Sequence, residues 1–180
     1  IAVTLDNEPF RSEDGTILFR PGGHGALIEN LNEVDADLAI VKNIDNIVPD
    51  AIKSETVMYK KALAGYLFRF QRDIFQYLEQ LDNDASSELI EEVFLFAKEH
   101  FGYNGAEENE SLHKFLNRPI RICGMVKNEG EPGGGPFWVT NENGLESLQI
   151  VESAQVDLTD PEQQKIWKNA THFNPVDLVC

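Results

Sequence analysis

Leu63, Leu67, Phe70, Ile74, Leu78 and Leu81 recur at spacings of four and three, a period that a helix gathers into one apolar face. The repeat predicts a long helix from Ala51 to about Asp82. A second helix should follow, with Asp84 as N-cap and Leu89, Val93, Phe94 and Ala97 on one face, and a shorter one from Ser111 to Asn117. Between them, Gly102, Gly105 and several acids up to Asn109 mark a loop. This helical middle, about 51–118, reads as an insertion or lid on a sheet. Its aromatics, such as Phe68, Phe75 and Phe96, are expected to pack inside it.

The flanks have strand character. Ile1 to Leu5 is β-rich, and Asp14-Gly15 turns the chain into Thr16-Ile17-Leu18-Phe19. A glycine loop, Pro21-Gly22-Gly23-His24-Gly25, leads into the helix-forming Ala26 to Leu31. Asp37 to Val41 is then a short apolar run, as expected of a strand covered on both faces in a parallel sheet. The order predicts a three-layer α/β sheet with ligands at the carboxyl ends of its strands. Strand signals return at Ile120 to Val126. Phe137-Trp138-Val139 and Leu148 to Val151 flank a hairpin turn at Asn143-Gly144, and Asp160-Pro161 should start a helix running to about Asn169. Thr171 to Val179 closes as strand or extended chain.

At 180 residues the chain suits a single domain, and 42% apolar with 26% charged residues is a globular composition. It opens on Ile1 without an initiator Met and ends on apolar Leu178-Val179-Cys180, so it reads as a piece of a longer polypeptide. The net charge of −16 opposes broad contact with polyanions, which argues against nucleic acid and anionic membranes as partners. No apolar run approaches a membrane span, and two isolated cysteines, Cys123 and Cys180, form no disulfide framework. A cytoplasmic setting is expected.

Seven of the 13 glycines lie in two short loops, three within 22–25 and four within 130–135. Glycine lets a ligand approach main-chain N–H groups with no Cβ in the way, and a strand, glycine turn and helix together can cradle phosphate. His24, in the first loop, can donate to phosphate. Asp45, between Asn43 and Asn46 just past a strand, suits a hard cation such as Mg²⁺, which binds through one or two carboxylates and the phosphates of a substrate. An Asx-turn closing the strand would equally explain it. Glu152 lies in the apolar strand expected over Gln149 to Val156, where alternation lets it face solvent; pointing instead into a cleft, its carboxylate could accept hydrogen bonds from sugar hydroxyls.

These motifs carry a resemblance. The loop Pro21-Gly22-Gly23-His24-Gly25, followed by Asn43-Ile44-Asp45-Asn46, resembles the paired motifs of the UDP-sugar pyrophosphorylases. Gly134-Gly135, the stretch Val151-Glu152-Ser153-Ala154-Gln155 and Phe173-Asn174 are similar, in the same order, to that family's glycine pair, its Val-Glu-x-Ala-Gln strand and its Phe-Asn segment. The similarity covers about residues 1–50 and 130–180. Nearly the whole chain also resembles a bacterial family known only as a domain of unknown function, grouped with the nucleotide-diphospho-sugar transferases.

The resemblance implies an incomplete Rossmann-like three-layer fold with a helical insertion. It also implies a nucleotidyltransferase that joins a nucleoside triphosphate to a sugar 1-phosphate and releases pyrophosphate. By the same resemblance Gly22, Gly23, His24 and Gly25 would bind the nucleotide, with Gly23 at the base and His24 at the phosphates. Asp45 would hold Mg²⁺, and it and His24 would be the catalytic pair. Gly134, Gly135, Glu152 and Asn174 would surround the sugar. The family's first phosphate loop and its phosphate-holding lysine are absent, so the piece alone is expected to be inactive. Pro175 and Val176 replace polar residues, and Asp177 stands where an amide is usual. The alternative, from another class, is a non-catalytic sugar-nucleotide-binding or assembly module.

Overall fold

The computed structural model describes residues 1–6, 8–20, 27–130 and 133–180. The chain is mixed α/β and divides into two units, Ile1–Ala39 and Ile40–Cys180.

In the first unit the turn at Asp14-Gly15 is present: Gly15 has φ +82° and its N–H donates to Ser12 O at 2.9 Å. The segments around it meet through isolated antiparallel bridges, Val3 with Pro9 and Arg11 with Ile17, in place of the continuous strands expected. Helix α1, Leu27–Asn32, follows. None of the described residues of this unit is buried, because its apolar residues are too scattered to share a face.

The second unit begins with strand β1, Ile40–Lys42. Helix α2 is Lys53–Asn83, α3 is Ser87–Phe101 and α4 is Asn109–Leu116. The expected apolar stripe of α2 faces inward: Leu67, Ile74 and Leu81 are buried. Ile74 and Leu81 join Val93, Ala97, Tyr103, Leu112, Phe115 and Leu116 in one core between the three helices. Full burial of a side chain such as Leu112 stabilises by roughly 1.5–3 kcal/mol. Tyr77 ties α2 to α3 by donating to Glu92 Oε1 at 2.8 Å; burial first, and then this bond, push its hydroxyl up to about 12. Asp84 does not cap α3. Ser86 does, accepting from Leu89 N–H, while Asp84 ends α2 with its N–H on Gln80 O. The two candidates lie two residues apart, and the hydroxyl occupies the position from which N3 can be reached.

Past the helices the chain forms β2 (Ile122–Cys123), β3 (Val126–Lys127), β4 (Gly135–Thr140), β5 (Glu146–Val151), α5 (Pro161–Lys168), β6 (His172–Phe173) and β7 (Asp177–Val179). Asp160 caps α5, accepting from Glu162 and Gln163 N–H, with Pro161 at the first helical position. β4 and β5 make the expected hairpin, and Gly144 in its turn has φ +77°. The single strand expected over 120–126 is two short ones. Gly124 lies between them, and the chain passes there from β7 as partner to β6.

The sheets differ from expectation. All strand pairs among the described residues are antiparallel: β1-β7-β2 in one sheet, β3 with β6, and β4 with β5. β1 is not buried on both faces of a parallel sheet; Ile40 is 52% exposed, and Ile40, Val41 and Lys42 oppose Val179, Leu178 and Asp177. A five-residue apolar run does not specify strand direction, and here the partner comes from the far end of the chain.

α3 and the hairpin meet at Gly102. It ends α3 in the left-handed conformation, φ +67°, and its N–H bonds the last carbonyls of the helix. Trp138 of β4 covers it so closely that a Cβ at this position would overlap the indole ring. Gly102→Ala is therefore expected to lose about 2–3 kcal/mol, through positive φ and overpacking together. Urea unfolding would read this as a lower midpoint at unchanged slope, and wild-type stability would refute both constraints.

Candidate functional site

The segment Asn174 to Asp177 is the junction of the expected site. Asn174 is the buried polar side chain here, 5% exposed. Its Nδ2 donates to Gly124 O at 2.7 Å and its Oδ1 accepts from Val176 N–H at 3.0 Å. A buried amide must find such partners, and these bonds pin the turn between β6 and β7 to the crossing between β2 and β3. Asn174 was expected to lie beside a sugar. With both ends of its amide bonded to the backbone, its evident contribution is to shape the wall. Val176 follows with φ +55°, a strained value for a β-branched residue. Its N–H is held by Asn174 and its carbonyl by Asn43 N–H at 3.1 Å.

One side of the junction carries the glycine pair. Asn174 N–H donates to Gly134 O at 2.8 Å. Gly134 and Gly135 are both buried. A Cβ on Gly134 would lie 2.6 Å from Ile150 Cγ2 and 2.8 Å from Glu152 Oε1, so absence of a side chain is what admits the Glu152 carboxylate. A Cβ on Gly135 would meet the Phe137 ring at 2.8 Å. Glu152 is exposed and lies outside the strand in which it was expected. β5 ends at Val151, and Glu152 precedes a 3-10 turn, Ser153–Gln155, whose Gln155 Oε1 accepts its N–H at 2.8 Å. The Gln155 side chain takes up the Glu152 N–H and the turn bonds Gln155 N–H to Glu152 O and Val156 N–H to Ser153 O, which ends the ladder despite the apolar alternation.

The other side carries Asp45. Asn43-Ile44-Asp45-Asn46 forms a 3-10 turn in which Asn43 Oδ1 accepts from Asp45 N–H at 3.2 Å. The Asx-turn is thus made by Asn43, and the Asp45 carboxylate is exposed, bonded to none of the described residues. Asn46 Nδ2 donates to Pro175 O at 2.7 Å. The structure therefore brings Asp45, Gly134, Gly135, Glu152 and Asn174 around one junction. Gly22, Gly23, His24 and Gly25 lie outside the described residues. The hollow lined by Lys98, Gly102, Tyr103, Asn104, Trp138 and Glu146 contains none of the expected site residues.

Sequence reasoning missed the groups that lock this junction. Lys42 Nζ donates to Asp177 Oδ2 at 2.7 Å, and Lys60 Nζ of α2 lies 2.6 Å from Oδ1. The Lys60 contact is an ion pair without hydrogen-bond alignment, and both of its atoms are buried. Burial raises the Asp177 carboxyl, but the Lys42 hydrogen bond and the charges of Lys42 and Lys60 outweigh it and hold the group below its ordinary 3.8. A signal was present: Lys60 stands three and seven residues before Leu63 and Leu67, on the apolar stripe, where an ammonium requires a counter-charge. A carboxylate at Asp177 in place of an amide is what two lysines require.

The model of a family described as domain of unknown function (DUF4301) matches residues 1–180. The chain belongs to the DUF4301 family. Comparison with curated proteins and with solved structures gives no match. Among the described residues of this DUF4301 chain, no helix is long and apolar enough to cross a membrane, and no group of three or more His, Cys, Asp or Glu side chains is arranged to hold a metal ion.

The Asp177 clamp has a definite pH signature. Because its folded value lies below its unfolded one, the stability it contributes is present above pH 3.8 and lost as pH falls through the folded value. Asp177→Asn is expected to cost about 1–3 kcal/mol near neutrality, less than for a fully buried pair. The gap between variant and parent should close in acid, as followed by urea midpoints across a pH series. A gap that stays constant with pH would refute the clamp.

Proposed function

We propose that the chain is part of a nucleotidyltransferase, which joins a nucleoside triphosphate to a sugar 1-phosphate and releases pyrophosphate. The observation that supports this reading is the shared junction: the Asp45 turn and the Gly134–Glu152 pair both bond to the segment around Asn174. Asp45 and Glu152, 107 residues apart in sequence, with the chemistry for a diphosphate and for hydroxyls, thereby flank one short stretch of backbone. The Rossmann-like three-layer arrangement is part of the proposal. It requires parallel strands in addition to the antiparallel ones described.

Glu152 would accept hydrogen bonds from sugar hydroxyls, and the bare Gly134 backbone beside it would let the ring approach. His24 and the glycines around it would meet the nucleotide. A single exposed carboxylate does not hold Mg²⁺ by itself, but it fits a Mg²⁺ whose other ligands are substrate phosphates and water, so Asp45 is the residue that would hold it. When bound, that ion supplies neutralisation of the charge that builds on the phosphates. The chain's own part is to fix the two substrates in line for attack by the sugar phosphate oxygen.

The test is incubation of the full-length protein with Mg²⁺, each nucleoside triphosphate and a panel of sugar 1-phosphates, reading pyrophosphate release. Release with one pair is expected. Asp45→Ala should lower turnover by about 100-fold or more, whereas Glu152→Ala should act mainly by raising KM for the sugar phosphate. Ligand-dependent thermal stabilisation with no product from any pair would overturn catalysis in favour of a sugar-nucleotide-binding module.

A further inference from the structure

Phe68 and Phe75 do not pack inside the helical region as expected: they are 55% and 59% exposed, and Val57 is 44% exposed. Each phenylalanine follows a buried residue, Leu67 or Ile74, by one position, which turns it about 100° round the helix from the core. Val57, Lys61, Ala64, Phe68, Gln71 and Phe75 fall at spacings of four, three, four, three and four, so α2 carries a second, partly apolar stripe along its length, with Lys61 at its edge. One helix thus has two apolar faces, and the core between α2, α3 and α4 uses one.

We propose that this second stripe pairs with the same stripe of a second copy of the chain, α2 against α2 and antiparallel. Charge selects both the occupant and the direction. Lys61 and Glu79 border the stripe on the same side, 18 residues apart, and neither forms an ion pair among the described residues. At 1.5 Å per residue they are about 27 Å apart and cannot meet within one helix. In an antiparallel pair centred near Arg69 and Phe70, Lys61 of each copy faces Glu79 of the other. In a parallel pair Lys61 would face Lys61 and Glu79 would face Glu79, which is repulsive at both ends. Within one residue of this register small Ala64 lies opposite large Phe75, the alternation that lets two helices interlock. The guanidinium of Arg72, on the same border, is taken up by Asp73 at 2.8 Å.

A further feature of α2 has no explanation within the chain. Gly65 costs a helix interior about 1 kcal/mol relative to alanine. A Cβ there would meet nothing within 4 Å, so no internal contact requires its absence. It lies one turn beyond Lys61 on the bordering side, where a missing side chain allows a neighbouring helix to come close.

Sedimentation of the full-length protein over about 1–100 µM should show passage from one to two chain masses. Phe68→Asp should raise the dissociation constant roughly tenfold or more, as for a central apolar anchor. Lys61→Glu and Glu79→Lys should each weaken association about three- to tenfold, and the double variant should recover most of the loss, since its charges again face opposites. All these positions are exposed, and far-UV circular dichroism would verify the fold of each variant. A single chain mass over the whole range would overturn the proposal. So would a dimer indifferent to Phe68→Asp, or a double charge variant no better than its single parents.

Discussion

The second unit depends on how β7 is held. This strand is central in its sheet, with β1 on one side and β2 on the other, and α2 packs against it. Its first residue, Asp177, is gripped by Lys42 from the neighbouring strand and Lys60 from the helix. Three elements far apart in sequence are thereby tied through one carboxylate. A half-buried aspartate between two ammoniums tolerates no neutral substitute without leaving two like charges side by side.

Just before that clamp the backbone is forced into an uncommon shape. Val176 takes positive φ because Asn174 and Asn43 hold its N–H and carbonyl, and Asn174 is itself fixed by Gly124. Strain of this kind persists only where surrounding bonds over-determine it. Here they include the bonds that bring the Asp45 turn and the Gly134–Glu152 pair to a common wall. Structural economy and the proposed substrate chemistry therefore act on the same few residues. At this junction Asp45 and Glu152 keep their side chains exposed.

The helical region has a different logic. Its core is closed by α2, α3 and α4 together with Tyr103, with Ser86 and Gly102 setting the ends of α3 and Trp138 sealing the second of them. That leaves a further face of the longest helix apolar and bordered by opposite charges at its two ends.

The sequence by itself determined the helices, because a periodic apolar face is a local property that any window of the chain displays. The extents of α2 and α5, the Asp160 cap and the hairpin turn at Gly144 were legible for that reason. That Asn174 would spend its amide on the backbone was not legible, because its partners at Gly124 and Val176 are fixed only by the fold. Tertiary structure alone decided the direction of strand pairing, the end of β5 before Glu152, the choice of Ser86 over Asp84 and the outward turn of Phe68 and Phe75. Each depends on a partner distant in sequence or on competition between nearby polar groups, and neither is encoded in a local period. The Lys42–Asp177–Lys60 clamp lies between these cases. Lys60 on an apolar stripe announced that a counter-charge was needed, and only the folded chain showed that Asp177, more than a hundred residues away, supplied it.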